Sequence, residues 1–282
     1  AGTQNRFCFL RIQKTGSTTL GDGMLKELCP ICNPSDLLNH NDWSILQQCP
    51  RMITILRDPL ERILSEFFMI RTDRFHFDDK FGWDMPAAPY CEEIWTALNR
   101  NFTEYLHIKR NPARNRQTLY LAGMGKQKYT GNLSEVTPRI LKLSKYSVEV
   151  REQGVDWDYD GQEILERAKS HLRDGRITVG INEHFECSLR LFSKALGWDA
   201  ERALAMSREL GMKRHQDKDR VPLELLDGHA VASPTRGERR WADVIDGWLR
   251  AEIERLQVAD RELYQLGKEV FQSQAQKFGL EC

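Results

Sequence analysis

Apolar positions along this chain fall into two rhythms. Short runs that alternate, or that are apolar throughout, occur at Arg6 to Ile12 (RFCFLRI), Met52 to Leu56 (MITIL) and Ile177 to Ile181 (ITVGI). Each is of strand length and rich in β-branched or aromatic residues, and each predicts a short buried strand. Helical spacing takes over between them. Leu20, Met24 and Leu28 share one face of a helix over Thr18 to Leu28. Leu60, Ile63, Leu64, Phe67 and Phe68 form a stripe that begins just after Asp58-Pro59, and Phe185, Leu189, Phe192 and Leu196 form another that stops at Gly197. Further helices are expected over Glu92 to His107, Asp160 to Leu172 and Trp241 to Phe278. The last is read as two helices or one bent one, with Trp248, Leu249, Ile253, Leu256, Leu263, Leu266 and Val270 packing inward.

Two of these strands run directly into helices, and the junctions carry the chemistry. After the first comes a tight polar turn, Gln13-Lys14-Thr15-Gly16-Ser17, followed by Thr18 and Thr19. Backbone N–H groups of such a turn converge with a helix N-terminus on an anionic group. Lys14 adds a full positive charge, so the turn predicts a phosphate cradle; the plainer reading is a strand–helix turn with an exposed lysine. A nucleoside triphosphatase loop, G-x-x-x-x-G-K-[ST], places its lysine after the glycine, and here Lys14 precedes Gly16. After the second strand, Asp58 is an N-cap, Pro59 the first helical residue and Glu61 the third residue after the cap. Arg57 is left at the strand's carboxyl end and Ser65 two turns along the helix. Ligands of open parallel sheets bind outside the carboxyl ends of the strands, so Arg57 is expected on the same edge as Lys14. An ordinary pairing of Arg57 with Asp58 or Glu61 is the alternative.

Composition narrows the partners. Lys plus Arg and Asp plus Glu both number 41 among 282 residues, giving a net charge of zero and no global field to draw in nucleic acid or another polyanion. At 40% hydrophobic the chain can bury a full core. No apolar run approaches the length of a membrane span. Seven cysteines leave at least one unpaired in a monomer, and Cys8 in the first strand is the natural buried thiol. Cys29-Pro30-Ile31-Cys32, His40 and Cys49 leave open a disulfide through Cys49, a zinc site or free thiols. A metal-bound His40 could not act as a base. Asn101-Phe102-Thr103 and Asn132-Leu133-Ser134 are glycosylation sequons. The charged stretch from Arg208 to Arg240 reads as a solvated face, with acceptor contact as the alternative.

QKTGSTTL followed by ITILRDPLERILSEF resembles the paired signatures with which carbohydrate sulfotransferases hold 3′-phosphoadenosine 5′-phosphosulfate (PAPS). More narrowly, the chain is similar to the heparan sulfate 6-O-sulfotransferases, which have a histidine shortly before a tryptophan between the two signatures; His40-Asn41-Asp42-Trp43 stands at that place. Other matching islands are Asn115-Arg116-Gln117 with Leu121-Ala122, Val179-Gly180-Ile181-Asn182-Glu183, and Asp260-Arg261-Glu262-Leu263-Tyr264. The chain departs from the family in having Gly16-Ser17 where two glycines are usual, in a shorter cysteine-rich insertion, and in residues 125–160 and 199–240.

The resemblance implies a single α/β domain over residues 1–282, with a P-loop-like three-layer fold, a central parallel sheet flanked by helices and a long C-terminal helical region. It implies PAPS as donor without a metal. Lys14, Thr15, Gly16, Ser17, Thr18 and Thr19 would hold the 5′-phosphosulfate, Arg57 and Ser65 the 3′-phosphate, and Arg116 would lie near the nucleotide. His40 is the candidate general base, with Asp42 to orient it, and Lys14 is the second catalytic group. The acceptor would be an anionic polysaccharide and the setting the Golgi lumen or secretory pathway after loss of an anchor, or else the cytoplasm. A small-molecule sulfotransferase, a P-loop nucleotide kinase and a zinc-stabilised binding module are the rival readings.

Overall fold

A computed structural model describes residues 7–13, 15–30, 32, 37, 42–72, 102–107, 111, 113–124, 161–216 and 245–282. In chain order the elements are β1 (Cys8–Leu10) and a helical segment α1, whose turns run Ser17–Leu20, Gly21–Leu25 and Lys26–Leu28. Next come α2 (Trp43–Leu46), β2 (Met52–Leu56), α3 (Pro59–Thr72), α4 (Phe102–His107), α5 (Arg116–Leu121) and α6 (Gly161–Leu172). The series ends with β3 (Ile177–Ile181), a 3₁₀ turn (Asn182–His184), α7 (Phe185–Leu196), α8 (Ala200–Gln216), α9 (Gly247–Leu256) and α10 (Val258–Lys277).

The three strands form a parallel sheet in the order β1-β2-β3. Cys8 pairs with Met52 and Leu10 with Thr54; Met52 pairs with Ile177 and Leu56 with Ile181. A strand that is apolar on both faces needs cover on both, and the sheet has it. Cys8, Leu10, Met52, Leu56, Ile177 and Val179 pack with residues of α2, α5, α6 and α10. Phe9, Ile53 and Ile55 pack on the other face with Leu20 and Met24 of α1, Leu189 and Phe192 of α7, and Leu204 of α8. The α/β layering expected from the sequence is therefore present, as a small three-stranded parallel sheet between helices. Thr54, polar and fully buried, donates its hydroxyl to the Leu10 carbonyl (3.0 Å).

Several sequence expectations meet their structural reasons here. Asp58 caps α3, its Oδ1 accepting from the amides of Leu60 (2.9 Å) and Glu61 (3.3 Å). Gly197 ends α7 in the left-handed conformation, φ 76°. The C-terminal region is two helices, α9 and α10, with Asp246 capping the first through the Leu249 amide (2.7 Å). Trp248 does not pack inward: it is 59% exposed, because Leu249, Ile253 and Leu256 already fill the buried side of α9. The start of the charged stretch continues α8 to Gln216, an element its polar surface hid.

The cysteines overturn one expectation. Cys8 is not a free thiol: Cys49 lies across from it, with Cα atoms 6.2 Å apart, and the two form a disulfide. The register explains the pair, since Cys8 sits opposite Met52 and Cys49 precedes that strand by three residues. Cys29 pairs with Cys32 and Cys187 with Cys282. Three disulfides accord with a secreted or lumenal setting. Among the described residues no helix is long and apolar enough to cross a membrane.

Candidate functional site

All three strands are parallel, so their carboxyl ends share one edge, and the two signatures meet there. The turn after β1 is built around Gly16, whose φ of +84° favours glycine; a Cβ at that position would strike the Asn182 side chain, just beyond β3. Thr15 is fully buried and donates its hydroxyl to the Ile12 carbonyl (3.0 Å), closing the turn. The amides of Thr19 and Leu20 bond to the Gly16 carbonyl (3.1 and 3.3 Å), so helical bonding begins at once. Ahead of them, the first amides of α1 have no intrahelical acceptor. Ser17 is 1% exposed, and its hydroxyl has no hydrogen-bond partner among the described residues. Lys14, and the side chain of Thr18, lie outside the described residues.

Arg57 emerges from β2 on the same edge. The Gln117 side chain holds its backbone at both ends: the Arg57 amide donates to Oε1 and Nε2 donates to the Arg57 carbonyl, each at 2.9 Å. Its guanidinium meets Glu61 at 3.4 Å, the local pairing that the spacing allowed. Burial pulls the Arg57 pKa down, with the carboxylates of Glu61 and Glu183 opposing it. Ser65 is half-buried on α3, two turns beyond Arg57.

Behind Arg57 lies a buried polar network that joins the sequence islands. The Arg116 guanidinium, 4% exposed, bonds to Glu66 (2.6 Å) and to the Gln13 side chain at the start of the turn. It braces the turn through Gln13. Arg62 meets Glu66 at 2.6 Å, the Ala113 carbonyl, and Asp260 at 3.7 Å. Asp260 of α10 accepts from the amides of Gln117 (3.2 Å) and Thr118 (2.8 Å) and from the Thr118 hydroxyl (2.8 Å). Burial pushes the Asp260 pKa up, against the pull of Arg62 and these donors. Asn115, left-handed at φ 50°, accepts from the Asp260 amide (3.1 Å) and donates its own amide to Gln257 (2.8 Å). Glu183 accepts from the Asp58 amide (3.1 Å) and the Tyr264 hydroxyl (2.8 Å). Residues 115–118, 183 and 260–264 thus converge around Arg57.

Sequence reasoning assigned no separate role to Gln13, Asn182 and Glu66, which stand inside the quoted motifs, or to Gln257. For Gln13 a signal existed: like Arg57, it is a polar residue directly after a buried strand. Glu66 and Gln257 had none, since their partners come from distant elements.

His40 lies outside the described residues, but the segment from Asp42 onward is well anchored. Asp42 is fully buried and caps α2, accepting from the Ser44 amide (3.1 Å) and hydroxyl (2.6 Å). The Trp43 ring stacks on His171 (centroids 4.1 Å apart, planes at 11°), and the Arg176 guanidinium sits 5.3 Å from the indole. Both contacts lie just before β3, towards the amino end of the sheet. Cys29, Cys32 and Cys49 are all in disulfides and have no thiolate to give a metal, which removes them from the zinc reading. Among the described residues no group of histidine, cysteine or carboxylate side chains could hold a metal ion. No protein-family model matches the chain, and no curated protein matches it.

Proposed function

We propose that this chain is a PAPS-dependent sulfotransferase with a P-loop-like fold, acting on a carbohydrate hydroxyl, and specifically on the 6-hydroxyl of glucosamine in a heparan-sulfate-like glycan. The observation that supports it is the shared edge: the Thr15–Ser17 turn and Arg57 end neighbouring parallel strands, where a donor with phosphate at both ends can be held by both. Lys14 and the first amides of α1 would hold the 5′-phosphosulfate. Arg57 and Ser65 take the 3′-phosphate, which separates this donor from ATP. Arg116 acts at one remove, through Gln13.

The reaction is an in-line sulfuryl transfer. His40 takes the proton of the acceptor hydroxyl as its oxygen bonds to sulfur, and a histidine titrates in the range that suits this work. The bond from sulfur to the bridging phosphate oxygen breaks, and the charge that develops on the 5′-phosphate is met by Lys14 and the turn amides. The Golgi lumen is the setting in which such an enzyme would work, and three disulfides accord with it.

Calorimetric titration with 3′-phosphoadenosine 5′-phosphate in the presence of a chelator tests the donor site. Binding without metal supports the reading; a requirement for magnesium and ATP would replace it with a kinase. Transfer from labelled PAPS onto desulfated heparan, other glycans and phenols then identifies the acceptor, and a preference for phenols would point to a small-molecule sulfotransferase.

A further inference from the structure

Directly beside Arg57, a cleft of about 590 Å³ opens between the start of α3 and helices α9 and α10. Its size is that of sites for drug-sized ligands, and Asp58, the residue after Arg57, lines it. Most of the polar groups around it already have partners. Asp58 caps α3. Glu254 meets Arg261 (3.5 Å), Glu262 meets Lys169 (2.9 Å), and the Tyr264 hydroxyl donates to Glu183 (2.8 Å). Three groups remain, those of Gln257, Gln265 and Lys268. Gln257 is 1% exposed; its Oε1 accepts from Asn115, while its Nε2 has no acceptor among the described residues. Lys268 lies with its Nζ 5.2 Å from the Tyr264 ring and makes no ion pair with a described residue. A buried donor left without an acceptor is costly, so an unsatisfied amide at a cleft of this size points to a ligand.

All three carry donors, and one is a cation. The cleft therefore calls for a ligand rich in acceptor oxygens and carrying negative charge, while Val258, 48% exposed, offers apolar surface to the C–H face of a sugar ring. We propose that this cleft binds the acceptor, an anionic oligosaccharide whose carboxylate or sulfate oxygens face Lys268 and Gln257. The role as acceptor site rests on the sulfotransferase reading; the binding of an anionic glycan does not.

The test uses the whole chain, a uronate-containing heparan hexasaccharide, a neutral chitin hexasaccharide and 3′-phosphoadenosine 5′-phosphate as probes. Lys268→Ala removes the cation. Val258→Trp fills the cleft from a position that is 48% exposed, where the fold tolerates bulk. Both variants are expected to bind the heparan hexasaccharide about ten-fold or more weakly, to bind the nucleotide as the parent chain does, and Lys268→Ala to leave any binding of the neutral hexasaccharide unaltered. Failure of the parent chain to bind the heparan hexasaccharide, or undiminished binding by both variants, overturns the proposal. So does an equal loss for both glycans in Lys268→Ala. A chain that binds the hexasaccharide in this pattern but ignores the nucleotide would keep the cleft and discard the sulfotransferase.

Discussion

Gly16 carries two constraints at once: a backbone conformation that costs other L-residues about 1–2 kcal/mol, and the Asn182 side chain where a Cβ would go. Gly16→Ala is therefore expected to lower the melting temperature and to weaken 3′-phosphoadenosine 5′-phosphate binding. The double variant with Asn182→Ala should recover only part of the loss, because it relieves the collision and leaves the dihedral angle strained. Calorimetry on both variants measures this, and full recovery would mean that crowding alone matters. His40→Ala is expected to lose ~10²–10⁴-fold in turnover while holding the nucleotide as before; near-normal turnover would remove the base assignment. Arg176 allows a test of pH dependence. Its bonds to Asp174, the shortest at 2.7 Å, hold that carboxyl below the usual range. A depressed carboxylate pKa stabilises the fold above the unfolded value, near 3.9, and the contribution disappears as pH falls through the folded value. Arg176→Ala should thus cost about 1 kcal/mol at pH 7, and less at pH 2, where part of the Asp174 attraction is lost while its contacts with Trp43 and the Gln47 carbonyl persist. Urea unfolding at the two pH values checks the sign.

At the scale of elements, sequence and structure agree where a rule is local. The β2–α3 junction could be read because a buried run, an N-cap and a proline succeed one another from Met52 to Pro59, and Asp58 caps as its position requires. The strand ITVGI and the stop at Gly197 were legible for the same reason. The turn was visible as a strand–helix turn from its residue types. That Arg116 serves Gln13 and Glu66 was not, because an arginine in sequence carries no mark of what it will face. A disulfide through Cys49 was among the open readings, but its partner Cys8 was not legible: the choice depends on the register of β1 on β2, and register is a property of the pair. α8 was missed because its exposed face is dense in charge while its buried side offers little more than Ala203 and Leu204.

Taken whole, the molecule is cross-tied by sulfur as well as by packing. Three of the pairs available to seven cysteines form among the described residues, and the seventh, Cys91, lies outside them. Alkylation under denaturing, non-reducing conditions is expected to label one thiol per chain, and labelling of several would remove the oxidised framework. The Cys8–Cys49 loop, 41 residues apart in sequence, should contribute ~4 kcal/mol by the chain-entropy relation, so that the Cys8→Ser, Cys49→Ser double variant unfolds at distinctly lower denaturant.

Asn182 and Asp260 also bear on the order in which such a protein can come into being. The turn after β1 lies between Gln13 and Thr19, yet Gly16 rests against a side chain from beyond the third strand, and the brace behind Arg57 is tied to the final helix. A ribosome would release most of this polypeptide before the grip could exist. Any nascent or truncated form that stops short of α10 should be unable to hold the donor, however well its early strands have paired.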